Sequence, residues 1–101
     1  MKKMKFTEAI DNAIAQEMAN DPSIIILGED VHVLRSTLYA RFGKERIKST
    51  PISESAFLGA SVTAAMLGLR PIVEIMLVDF IAVAMDSLVN HAAKNTFFSG
   101  G

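Results

Sequence analysis

The 101 residues carry a formal net charge of −1, with ten basic and eleven acidic side chains scattered along the chain, a balance that argues against a nucleic-acid partner. Half of the chain is hydrophobic and only 21% is charged, which excludes a disordered protein, and no apolar run approaches the roughly 20 residues of a membrane helix. Cysteine is absent, which removes disulfides, thiolate chemistry and cysteine-based metal sites; His32 and His91 are too far apart in sequence to read as a zinc pair, so no metal site and a soluble, cytoplasmic chain of one domain are expected.

Met1-Lys2-Lys3-Met4-Lys5 is basic, but no apolar signal-peptide core follows it. Thr7 reads as the cap of a first helix, with Ile10, Ala13, Ile14 and Met18 on one face and Asn20-Asp21-Pro22 ending it. Ser23-Ile24-Ile25-Ile26-Leu27 is continuously apolar and β-branched, the pattern of a strand buried on both faces of a parallel sheet, and Gly28-Glu29-Asp30 terminates it. A loop through His32 and Arg35 leads to a short helix with Leu38, Tyr39 and Phe42, closed by Gly43 in a left-handed conformation. Arg46 to Thr50 reads as a second strand, which Pro51 stops because it lacks a backbone donor and biases Thr50 away from helical angles. Ser53 is placed to cap the next helix, Glu54 falls in its first turn, and the nearly uncharged run from Ala56 to Met66 predicts a buried helix. That helix ends near Gly68. A third strand follows over Arg70 to Met76, in which Glu74 needs a partner if buried, and Asp79 reads as the cap of a long final helix from Phe80 to about Phe97. The β-α-β-α order predicts an α/β fold, a partial parallel sheet with flanking helices.

Open parallel sheets bind ligands at the carboxyl ends of their strands, and three candidates fall there. Glu54 opens a buried helix, although a first-turn glutamate is also ordinary because it complements the helix dipole by roughly 0.3–1 kcal/mol. Glu29 sits at the end of the first strand, where a polar turn is the plain alternative. Phe80 follows the third strand and could stack on a flat ring, or simply pack along a stripe with Ala84 and Leu88. Neither G-x-G-x-x-G nor G-x-x-x-x-G-K-[ST] occurs, so no phosphate loop is present. His91 reads as a packing residue, having no acid three or four positions away. Helices this apolar in so short a chain require either an obligate partner or a larger parent protein.

Leu27-Gly28-Glu29-Asp30, Thr50-Pro51-Ile52-Ser53-Glu54, Gly68-Leu69-Arg70-Pro71-Ile72-Val73-Glu74, Asp79-Phe80 and Ala92-Ala93-Lys94 with Ser99-Gly100-Gly101 form an ordered series. Together they resemble the amino-terminal part of the beta subunit of the decarboxylating component of 2-oxo acid dehydrogenase complexes, the pyruvate dehydrogenase beta subunit among them, over essentially the whole chain. The resemblance implies a partial transketolase-like pyrimidine-binding domain over residues 1–101, the rest of the domain and a carboxyl-terminal domain with a catalytic histidine lying beyond Gly101. It implies thiamine diphosphate as cofactor. The glutamate matching Glu54 would hydrogen-bond N1′ of the aminopyrimidine, Phe80 would lie against that ring, Ile52 would line its pocket, and Glu29 would belong to a proton path between paired active sites. No Gly-Asp-Gly segment followed by asparagine occurs here, so magnesium and the diphosphate would be held by a partner alpha subunit in a heterotetramer with a second beta subunit. The reaction implied is decarboxylation of a 2-oxo acid and transfer of the acyl group to a lipoyl-bearing acyltransferase, with this stretch inactive by itself. Two other readings stand beside it: the half of another thiamine enzyme, such as a transketolase-like synthase, and a non-catalytic assembly or binding module.

Overall fold

A computed structural model describes residues 3–100, in which three parallel strands are joined by helices on both faces. Helix α1 spans Phe6–Asn20. It begins one residue before Thr7, and the Glu8 carboxylate rather than the threonine hydroxyl serves the start, accepting from the Lys5 amide at 2.9 Å. At its far end the Asp21 carboxylate accepts from both the hydroxyl and the amide of Ser23 at 2.6 and 2.9 Å, which holds its pKa below the usual carboxylate range. Strand β1 is Ile24–Glu29, two residues longer at its end than the apolar run, so Gly28 and Glu29 are part of the ladder.

The short helices α2 (Val31–Leu34) and α3 (Ser36–Phe42) lead to strand β2, Ile47–Thr50. Gly43 closes α3 with φ +77°, a conformation that a side chain would strain. Helix α4 is Glu54–Met66, strand β3 is Arg70–Glu74, and Gly68 turns the chain between them at φ +103°. The sheet order is β2-β1-β3 with β1 central, and Ile26 lies opposite both Ile47 and Ile72. Helices α1 to α3 cover one face and α4 the other, so the chain winds in both directions from β1. On the first face Met18, Ile24, Ile26, Val31, Leu38 and Ile47 form the buried core, while Ile25 and Phe57 are buried on the second.

Two expectations about helices need correction. Only Glu54, Phe57 and Ser61 of α4 are buried, whereas Ala56, Ala60, Thr63 and Met66 remain exposed, so the helix is covered along one face. The final long helix does not form. Leu77 is extended, Val78–Ala84 is a 3₁₀ helix with Asp79 inside it and no side-chain cap, and Ser87–Ala92 is a π-helical stretch before the short α5, Asn95–Phe98. Packing on α4 decides this shape. Ala84 and Ser87 are the buried residues there, the Ser87 hydroxyl donates to the Ser55 carbonyl at 2.8 Å, and a side chain at Gly59 would meet Ser87 Oγ at 3.4 Å. A wide apolar surface, with Val78, Val83, Met66 and Leu77 more than half exposed, is left uncovered.

Gly28 has a tighter constraint. A Cβ there would lie 2.6 Å from the Glu74 carbonyl oxygen and 2.8 Å from Val31 Cγ1, and the carbonyl belongs to the neighbouring strand and cannot step aside. Gly28→Ala is therefore expected to destabilise the fold by about 1–3 kcal/mol, read as a lower urea midpoint of the full-length protein. An unchanged midpoint would show that β1 and β3 can separate at no cost.

Candidate functional site

Pro51 and Ser53 carry the chain from the end of β2 into α4, and Glu54 is the first residue of that helix. Ser53 occupies the cap position without a side-chain hydrogen bond; its carbonyl instead accepts the Phe57 amide at 3.0 Å. The expected hydroxyl cap is thus absent, and the first turn is left with free amides beside an acid. Glu54 is 7% exposed, and among the described residues no hydrogen bond reaches its carboxylate. At the same β2–α4 turn, Leu27, Thr50, Pro51, Ser53, Ala56, Phe57 and Ala60 line an open, mainly apolar cleft of about 410 Å³, and Glu54 is not one of its walls. The residue is buried but its carboxylate oxygens are not sealed from solvent, so an acceptor without a partner from the described residues stands open to a polar ligand.

Side chains alternate along β1, so Glu29 points to the same sheet face as Ile25 and Leu27, and Leu27 lines the cleft beside α4. Glu29 and Glu54 therefore lie at the same end of the sheet, and the strand order adds that they share one face, although no hydrogen bond joins them among the described residues. The turn after Glu29 is sharp because Asp30 takes φ +54°, the only positive φ of a non-glycine residue among those described. Its carbonyl accepts the amides of Val33 and Leu34, both at 2.9 Å, which holds that conformation in place. Phe80 lies in the 3₁₀ segment beyond β3 and is 40% exposed; Ile52 is 76% exposed at the mouth of the β2–α4 turn. Neither packs into the core. No group of three or more histidine, aspartate or glutamate side chains suited to a metal occurs among the described residues.

Glu74 does find the partner its position demanded. Arg35 donates to both of its carboxylate oxygens at 3.0 Å and to Asp11 Oδ1 at 3.0 Å, tying β3 and α1 together through the α2–α3 junction. Glu74 above all keeps the Arg35 guanidinium more firmly protonated than usual. Arg35 was legible only as an unassigned loop cation. Its signal lay in Glu74, an acid inside an apolar strand. His91 is half-buried near Gly59 and takes no part in the edge.

What the β2–α4 turn offers chemically is an acceptor carboxylate at the head of a helix and, close by, a set of apolar side chains. Residues 2–100 match the family described as transketolase, pyrimidine binding domain. The chain is 43% identical to the beta subunit of acetoin:2,6-dichlorophenolindophenol oxidoreductase of Cupriavidus necator, covering 99% of this chain and 34% of that protein. Over 99% of the chain it is 40% identical to the beta-2 subunit of the mitochondrial pyruvate dehydrogenase E1 component of Oryza sativa, of which it covers 28%. The 2-oxoisovalerate dehydrogenase beta subunit of Bacillus subtilis is 42% identical over 93% of the chain and 31% of its own length. The chain thus spans about a third of the length of these relatives.

Proposed function

Because the chain belongs to the transketolase pyrimidine-binding domain family, we propose that it is the amino-terminal part of a beta subunit acting, with an alpha subunit, in a thiamine-diphosphate-dependent 2-oxo acid dehydrogenase. The observation that carries this reading is Glu54, a residue 7% exposed at the head of α4 whose carboxylate takes no hydrogen bond from the described residues and whose oxygens are not sealed from solvent. When bound, thiamine diphosphate would supply the electron sink for decarboxylating a 2-oxo acid. Glu54 would hold the proton shared with N1′ of the pyrimidine, Phe80 would lie against that ring, and Ile52 would close the pocket rim. Glu29, on the same edge and face, would belong to a proton path linking this site to that of a second beta subunit. Magnesium and the diphosphate would be held by the alpha subunit. The exposed apolar surface supports such partners, and a lipoyl-bearing acyltransferase would accept the acyl group.

Similarity to the acetoin-oxidising subunit favours a second substrate class, a 2-hydroxyketone, on the same scaffold. Assaying the full-length subunit with its alpha partner against pyruvate, branched 2-oxo acids and acetoin decides between them. Turnover of none of these, with thiamine diphosphate bound or not, would overturn the enzymatic reading. In the same assembly Phe80→Ala is expected to weaken thiamine diphosphate binding about 2- to 12-fold, the worth of one aromatic contact, as measured by cofactor titration. Unchanged affinity would remove Phe80 from the site.

A further inference from the structure

We infer that the cleft formed by His32, Tyr39, Lys44, Lys48 and Ser49 is a binding site for a phosphoryl-type oxyanion. It lies away from the β2–α4 cleft: Ser49 shares the face of buried Ile47, beneath α2 and α3, on the other side of the sheet, and Lys48 borders the cleft from the edge strand although it alternates to the opposite face. These side chains, with Ile47 at the floor, surround about 400 Å³. That volume holds a phosphoryl group and a small substituent.

Hydrogen bonds and ring packing fix part of the lining. The backbone amide of His32 donates to Ser49 Oγ at 3.1 Å, and ring Nδ1 of His32 is hydrogen-bonded to the same hydroxyl. The imidazole is thus tethered through Nδ1, and its Nε2 has no hydrogen-bond partner among the described residues. Tyr39 packs edge-on against the imidazole, centroids 5.9 Å apart at 66°, and restricts its rotation. Lys44 and Lys48 also border the cleft. No carboxylate lines the cleft, and among the described residues neither lysine forms an ion pair, including with the neighbouring Glu45. Two bordering lysines without ion-pair partners, an imidazole ring and a phenol match a tetrahedral dianion with oxygens on several sides. A planar carboxylate would leave part of that set unused.

Equilibrium dialysis of the full-length subunit, assembled with its alpha partner and saturated with thiamine diphosphate, against radiolabelled inorganic phosphate at fixed ionic strength tests the assignment. One saturable site per chain is expected, weakened about tenfold or more in the Lys44→Met, Lys48→Met double variant. Acetate should compete at least about tenfold less well than phosphate. Absence of saturable binding, equal binding by the double variant, or equal competition by acetate would each overturn it. Both lysines are exposed and hold no structural contact, so the variants leave the fold intact. Sugar phosphates and free phosphate share the chemistry; a phosphorylated metabolite displacing the label at lower concentration than unlabelled phosphate would identify the larger molecule as the ligand.

Discussion

Glu54→Gln is expected to lower turnover of the assembled full-length enzyme by about 10²–10⁴-fold, the usual worth of a positioned proton-transfer group. Glutamine keeps the shape and can still exchange a hydrogen bond with a ring nitrogen, so cofactor affinity should fall by no more than roughly tenfold. What it cannot do is hold or release a proton. Since no hydrogen bond from the described residues reaches the Glu54 carboxylate, the substitution should leave the melting temperature unchanged or raise it. That pairing separates a chemical role from a structural one. Glu54→Asp draws the carboxyl back by one methylene and should lose activity by about 10²-fold through misplacement alone. Full activity in Glu54→Gln would remove the proton role, and a large loss of stability would turn Glu54 into a packing residue.

The second large effect concerns stability. Arg35→Ala removes three hydrogen bonds at 3.0 Å and leaves Glu74 and Asp11 facing each other without a cation. All three side chains are a quarter exposed or less, so solvent screens them incompletely. The expected loss is about 2–4 kcal/mol, below that for a fully buried pair, and should appear as a lower urea midpoint. Arg35→Lys should recover only part of it, because one ammonium cannot serve two carboxylate oxygens and a second acid at once. The double variant Arg35→Ala, Glu74→Gln should be less damaging than the sum of its parts, the mark of direct coupling. Strict additivity would show that the triad is decorative. The sign of the pH dependence follows from the raised Arg35 pKa: its contribution is fully present below the ordinary guanidinium range and is lost only as pH rises through the folded value, so neutral and mildly basic conditions leave it intact.

The same network shows where reading the sequence stops. Glu74 announced that it needed a partner, since an acid inside Pro71-Ile72-Val73 cannot be buried alone. Nothing in the chain named Arg35, 39 residues away, because ion pairing across a sheet depends on which helix lies over which strand.

Local chemistry alone determined the three strands, the proline stop before α4, the placing of Glu29 and Glu54 at strand ends, and the positive-φ glycines at 43 and 68. Each follows from backbone sterics or from the period of apolar residues, which act over a few positions. It also carried the resemblance that gave Glu54 and Phe80 their meaning. Tertiary structure alone decided the rest. The order β2-β1-β3 brings Glu29 and Glu54 to one face, and the close contact of β1 with β3 makes Gly28 necessary. Packing of Ala84 and Ser87 on α4 replaces one long helix with 3₁₀ and π segments, overriding a propensity worth only tenths of a kcal/mol per residue. Contacts between residues far apart in sequence set those outcomes, and no window along the chain contains them.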